Sequence, residues 1–326
     1  MANCLGDADS KGTRMSRKLF LVASTVVATM PLLAVAQTSP EMNGTLSFST
    51  TVTNGDAQKS KQTAFNFVSD IVFSERFSLG LDVDYGRVNP SGTDAPNATL
   101  NRIQLEPTLS FGNGSYVGAY YQYASGAISI FSVGLESAGV FAGYDADKWA
   151  VEGYAGRTSM DLSFGGGDMS ASNIGLTAFV RPTDSLEIFG HAAQANLRDD
   201  AGKIKIFAMG AQYDFDSGLM GYVAAETVDF GDIFGGTGSQ VAFGFGYDLA
   251  KWTPNMRGTV TFEVARNHFE GGMNNNAVTI GWLIPIGGAK STPLSSVART
   301  ARGGTRAPFV AGVGSLGLLG TLNPSF

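Results

Sequence analysis

From Gln37 onward the chain has no cysteine; the single one, Cys4, lies upstream. That excludes a disulfide framework and any cysteine-based metal site in the body of the protein. Histidine is nearly as scarce, with only His191 and His268. Charged residues make up 15% of the chain, against about 25% in an average soluble domain. Although 44% of residues are hydrophobic, no apolar run after Gln37 approaches the roughly 20 residues of a membrane helix. Basic residues are the rarer sign: Gln37–Gly287 carries 14 Lys and Arg against 26 Asp and Glu. An acidic body repels phosphate, so nucleic acid is excluded as a partner.

What is abundant is glycine, with 43 residues, and phenylalanine, with 22. Both fall into a strict pattern. In "FSLGLDVDYG", Phe77, Leu79, Leu81, Val83 and Tyr85 alternate with Ser78, Gly80, Asp82, Asp84 and Gly86. In "QVAFGFGYDL", Val241, Phe243, Phe245, Tyr247 and Leu249 alternate with Gln240, Ala242, Gly244, Gly246 and Asp248. "RIQLEPTLSF" and "GTVTFEV" repeat the arrangement. A helix would scatter such residues around its surface, whereas a strand sorts them onto two faces. The alternation predicts strands at 42–53, 61–73, 76–87, 99–111, 115–125, 128–143, 148–158, 171–182, 185–197, 203–215, 218–229, 239–249, 256–267 and 276–286.

An oily row needs an apolar neighbour. A second sheet would supply one, but the opposite row here is glycine, serine and carboxylate rather than ordinary lysine-rich surface. A cylinder in lipid satisfies both rows, and closure pairs the backbone groups that lipid cannot solvate. Strands of this length, rising about 3.3 Å per residue and tilted about 40°, cross the apolar slab of a bilayer. Connections after even-numbered strands are tight and those after odd-numbered strands longer, except near Ser125–Ala127, so the longer loops share one end. Phe73, Phe77, Phe111, Tyr144, Trp149, Phe215, Tyr247 and Trp252 fall near the tight-turn end, where an interfacial girdle belongs. The fold class read from the chain is therefore all-β: a closed antiparallel up-and-down transmembrane barrel of about 14 strands.

Three regions follow. Residues 1–36 comprise an upstream extension and, from Met15, a secretory signal: Arg17 and Lys18, an apolar run from Leu19 to Leu33, and small residues before a cleavage site at Ala36. Residues 37–287 are the barrel. Residues 288–326 are basic, with four Lys and Arg and no acidic residue, and then rich in glycine. This tail reads as disordered; a plug in the lumen and read-through from a shifted frame are the alternatives.

By alternation the inward rows carry Asp70, Asp82, Asp84, Glu106, Glu136, Glu152, Glu187, Glu226, Asp248 and Glu263, opposed by Arg102, Arg181 and Arg257. Tyr116, Tyr120 and Tyr222 share these rows and would narrow the lumen. Charged rings set ion preference through local potential, so the acidic excess favours cations weakly. A nucleophilic hydrolase needs a base beside its serine. There is no G-x-S-x-G, and neither "HAAQAN" nor "HFEGGM" matches the histidine-serine signature of outer-membrane phospholipases. No cofactor, metal site or catalytic residue is assigned. "FGGGD" (164–168) and "FGGTGS" (234–239) precede no helical pattern, so they read as loops rather than phosphate cradles. "GTDAPN" (92–97) lacks calcium-loop spacing.

The signal segment, the alternating strands across 42–286, and stretches such as "FGNGSYVGAYYQY", "WAVEGYAGRT" and "NNNAVTIGWLIPI" resemble the Gram-negative general porins, especially porin-like proteins of alphaproteobacteria. The resemblance implies a barrel in the outer-membrane bilayer that passes small hydrophilic solutes or ions by diffusion, often as a homotrimer. The sequence departs from the family in strand number, since general porins usually have 16. The connection after strand 5, where those proteins place a constricting loop, is short here; the longer 158–171 connection is the alternative site. Strand 14 ends in "LIPIGG" with a further 38 residues rather than in a terminal aromatic. The function expected is a weakly cation-preferring channel. A structural or adhesive barrel without an open pore, and a barrel enzyme acting on lipids, are the alternatives.

Overall fold

A computed structural model of the chain describes residues 39–55, 59–91, 97–128, 131–162, 169–198, 202–231, 236–253, 255–270, 274–288 and 296–308. The signal segment, the three loop motifs apart from 97 and 236–239, and residues 289–295 and 309–326 of the tail lie outside the described residues.

The described chain is a closed antiparallel barrel in which each strand pairs with its neighbours in sequence and the first pairs with the last. The strands are β1 (Glu41–Gly55), β2 (Lys59–Ser74), β3 (Phe77–Pro90), β4 (Ala98–Ser110), β5 (Ser115–Ile128), β6 (Phe131–Ala146) and β7 (Trp149–Leu162). They continue with β8 (Met169–Thr183), β9 (Leu186–Leu197), β10 (Lys203–Asp214), β11 (Leu219–Asp229), β12 (Thr237–Asp248), β13 (Thr259–Phe269) and β14 (Asn274–Ile286). Closure is made by β1 against β14, from Gly44 opposite Ile286 to Gly55 opposite Asn275. Fourteen strands about 4.8 Å apart and tilted about 40° enclose a cylinder roughly 28 Å across between backbones. Wall side chains leave room inside it for one helix of about 10–12 Å.

Alternation sets the faces as the sequence implies. On β12, Val241, Phe243, Phe245 and Tyr247 are exposed outward, while Gln240, Ala242, Gly244 and Gly246 are buried inward. Val140, Ile280 and Phe207 stand on the same outer surface. At the tight-turn end Tyr144 packs on Trp149 and Tyr213 on Phe215, with centroids 5.3 and 4.7 Å apart. The inward glycines have a second use. A Cβ at Gly156 would sit 2.0 Å from the Tyr120 hydroxyl, and one at Gly244 would sit 2.3 Å from the Tyr222 ring. Tyr222 thus lies against the wall over a glycine of the adjacent strand β12, and Tyr120 reaches across β6 to a glycine of β7.

Two expectations change. The strands run further into the longer loops than their alternation suggests; β1 and β2 stay paired to Asn54 opposite Lys59. The contrast between long and short connections is therefore weaker, and the tight-turn end contains the extended 249–258 connection, which includes a short 3₁₀ turn. The inner face is also not uniformly polar. Leu197, Ile204, Ile206, Val228, Phe230 and Phe269 form a buried apolar cluster toward the loop end of β9–β13.

Part of the tail read as disordered lies inside the cylinder. Residues Ser296–Ala301 form a helix, α1, packed against β9, β10, β11 and β12. Val297, Ala298 and Ala301 are fully buried. They meet a wall of small residues, Ala224, Ala242, Ala265 and Ala277 on one side and Ala208 beside Phe189 on the other. The alanines on both partners permit close approach. The helix ends at Gly303, whose φ of 72° is accessible to glycine at little cost. The Gly303 and Gly304 amides donate to the Thr300 and Arg299 carbonyls at 2.9 Å, closing the last turn.

Candidate functional site: the occupied lumen

The sequence places arginines at 299, 302 and 306. Arg299 in α1 and Arg302 directly after it leave on the side away from the helix's alanine face, as their spacing of three requires. The third follows the Gly303–Gly304 bend. All three reach carboxylates on the wall.

Arg299 donates through one guanidinium nitrogen to Asp84 at 2.5 Å and through the other to Asp82. The same two carboxylates hold Arg102 of β4, which donates to Asp82 at 2.5 Å and to Asp84 at 2.6 Å. Arg102 also donates to the Gly304 carbonyl at 2.7 Å, tying wall to tail directly. Asn66 donates to Asp84, completing its surroundings. Two guanidiniums therefore share two carboxylates, with side-chain exposures of only 4–15% among Arg102, Arg299, Asp82 and Asp84.

Arg306 donates to Glu106 at 2.7 Å and to Glu152. Its guanidinium carbon lies 4.1 Å from the centroid of Phe141 and 5.7–5.8 Å from those of Tyr120 and Tyr154. Tyr116 donates to Glu152 at 3.2 Å, so that carboxylate is oriented from both sides. Arg302 lies 4.1 Å from the Phe189 centroid and donates to Glu187 and, at 2.9 Å, to Gln212. Thr305 adds a bond to Gln122 at 3.1 Å. Burial pushes the Arg299 and Arg306 guanidiniums toward the neutral form, but the flanking carboxylates outweigh it and raise both above the ordinary arginine range.

The candidate lining residues take distinct places. Asp82, Asp84, Arg102, Glu106, Glu152, Tyr116 and Tyr120 surround the tail. Arg181 sits nearer the tight turns, 3.1 Å from both Asp145 and Glu187. Glu226 and Glu263 are buried on the opposite wall, where Tyr222 donates to Glu263 at 2.8 Å. Asp248 is at the barrel rim, accepting from the Ala250 amide as the cap of the 3₁₀ turn. Arg257 is exposed in the connection that follows.

Glu136 departs from its expected inward position. It lies on the outer row of β6 with Val140 and Tyr144, accepting a bond from Tyr121 at 3.1 Å. Leu135 and Phe141 take the inner row. The reason is local: in "LESAGVFAG" bulky apolar residues fall on both rows, so polarity alone does not determine the face. The inward choice is stabilised by contacts with the tail, Phe141 beneath Arg306 and Leu135 beside Ala307.

His191 lies on the inner face of β9, stacked on Tyr154 at 6.0 Å and bonded to Thr177 at 3.0 Å. His268 is exposed and meets Asn274 at 2.8 Å. Among the described residues these contacts join neither histidine to a serine.

Beside the tail is a cavity of ≈ 230 Å³, lined in part by Asp70, Asp82, Glu106, Tyr116, Glu152 and Arg306. That is below the roughly 300–1,000 Å³ of a drug-sized ligand pocket. The arginines are the functional groups that strand reading omits. Their signal is the run "SVARTARGGTR", a basic segment following an acidic barrel.

No protein-family model and no curated protein matches the chain. Among solved structures it is similar to the CymD monoaromatic hydrocarbon channel, with 11% identity over 77% of this chain and 90% of that one, at a TM-score of 0.49. It is also similar to an anion-selective porin from Comamonas acidovorans, with 12% identity, 76% and 99% coverage and a TM-score of 0.49. The loop L8 deletion mutant of the Vibrio cholerae outer membrane protein OmpT gives 12% identity, 76% and 100% coverage and a TM-score of 0.46.

Proposed function

We propose that the chain is an outer-membrane channel for passive diffusion of small hydrophilic solutes, weakly cation-preferring, and that the docked tail is its closed state. One observation carries this reading: a closed cylinder with apolar rows outward and carboxylates inward. Phe243 and Ile280 are 56% and 59% exposed, and in water a surface so continuously apolar is an aggregation hazard. In lipid it is the required exterior. The signal segment beginning at Met15 is consistent with export.

Cation preference follows from the wall charges. The tail's three arginines meet Asp82, Asp84, Glu106, Glu152 and Glu187, which among the described residues otherwise pair with Arg102 and Arg181. With the tail docked this group of charges is balanced; with it withdrawn, carboxylates dominate. The test is planar-bilayer recording of the full chain and of the variant Arg299→Gln/Arg302→Gln/Arg306→Gln across a potassium chloride gradient. The variant is expected to conduct more and to show a reversal potential toward the potassium equilibrium value. The alternative of a non-conducting structural barrel draws on the filled lumen. Silence from a correctly folded triple variant would establish that alternative.

A further inference from the structure

We infer that the inner face of β3–β7 is a binding site for guanidinium-bearing solutes, which Arg299 and Arg306 of the tail occupy intramolecularly. This rests on the channel reading and adds the chemical class of ligand that the lumen retains. Carboxylates alone would not distinguish cation types, since any barrel interior is polar. The two seats here have shapes that an ammonium does not fill.

In the first seat, Asp82 and Asp84 stand two residues apart on one strand and receive separate nitrogens of the Arg299 fork. A planar guanidinium satisfies two acceptors at once, whereas an ammonium is a compact, strongly hydrated point charge. In the second seat, Arg306 is bonded to Glu106 and Glu152 while its guanidinium carbon lies over the Phe141 ring, 4.1 Å from the centroid. Carboxylates at the rim and an aromatic surface beneath fit a flat, delocalised cation. The adjoining ≈ 230 Å³ cavity, with Asp70 on its wall, leaves space for the remainder of a small solute. A free guanidinium ligand and the tail therefore compete for the same acceptors, and the ligand opens the lumen that it enters.

The test uses the full-length chain with Cys4→Ser and Thr305→Cys. Thr305 is 8% exposed beside Gln122, so its replacement reports tail withdrawal through reaction with a membrane-impermeant maleimide. Labelling is measured in micelles with arginine methyl ester or lysine methyl ester at equal ionic strength. The expected result is slow labelling alone, about tenfold acceleration by the arginine ester, and less than twofold by the lysine ester. Equal acceleration by the two esters would reduce the effect to charge screening and overturn the proposal; so would no acceleration by either. A second measurement uses the triple arginine-to-glutamine variant in bilayers, where the arginine ester is expected to reduce potassium current several-fold more than the lysine ester. Arginine-dependent labelling with no current in any variant would sustain the site while removing the channel. Current without discrimination between esters would do the reverse.

Discussion

Replacing Arg306 with alanine removes a tail side chain held by two carboxylates and an aromatic ring. The side chain is 6% exposed and bonded to Glu106 and Glu152 over the ring of Phe141. Charge-assisted hydrogen bonds contribute about 1.5–3 kcal/mol each, and a partly desolvated cation–π contact adds about 1 kcal/mol. Against that stands desolvation of the arginine and both carboxylates, which costs several kcal/mol. Glu106 and Glu152 retain 23% and 16% side-chain exposure, so water rehydrates them when the arginine is removed. The net loss is then about 2–3 kcal/mol, roughly a 30- to 150-fold fall in the docked-to-withdrawn ratio. Single-channel recording reads this as a shorter closed time. Arg306→Lys keeps the charge but loses the fork and should fall between alanine and wild type. Combining Arg306→Ala with Glu106→Gln/Glu152→Gln should add little, because the groups act as one unit. A folded Arg306→Ala protein whose closed fraction matches wild type within twofold would refute this account of the lumen.

Gly303→Ala places a Cβ 2.3 Å from the Thr177 hydroxyl at a φ of 72°. The cost of about 1–3 kcal/mol should appear as faster maleimide labelling at position 305 in the Thr305→Cys protein. On the outer face, Phe243→Arg should destabilise the barrel by about 2–4 kcal/mol in urea unfolding from vesicles, while Gln240→Arg on the inner row should do so far less. Docking should also depend on pH in one direction only. The raised guanidiniums of Arg299 and Arg306 contribute stability throughout the range below the ordinary arginine value, and lose it only as pH rises through their raised values. Conductance should therefore stay low from neutral pH up to about pH 10. Opening between pH 8 and 10 would contradict the ion-pair basis of the plug.

The strands and the direction of most side chains were determined by the sequence alone. On β3 and β12 each bulky apolar residue is followed by a small or acidic one, and a period of two allows only two assignments, one of which puts phenylalanine against lipid. Where that contrast fades, as between Leu135 and Phe141, the face of Glu136 was decided by what fills the lumen. The tail's place in the lumen, one alternative for its basic sequence, was undecided for a different reason. A six-residue helix is not stable by itself in water, so nothing in "SVARTA" announces it. It exists because β9–β12 present alanines for Val297, Ala298 and Ala301 to cover, and because β3, β4, β7 and β9 present carboxylates to three arginines. Strand alternation is a local property carried by neighbouring residues. The tail's arginine hydrogen bonds join residues 90 to 217 positions apart, and only closure of the cylinder brings them within hydrogen-bonding distance.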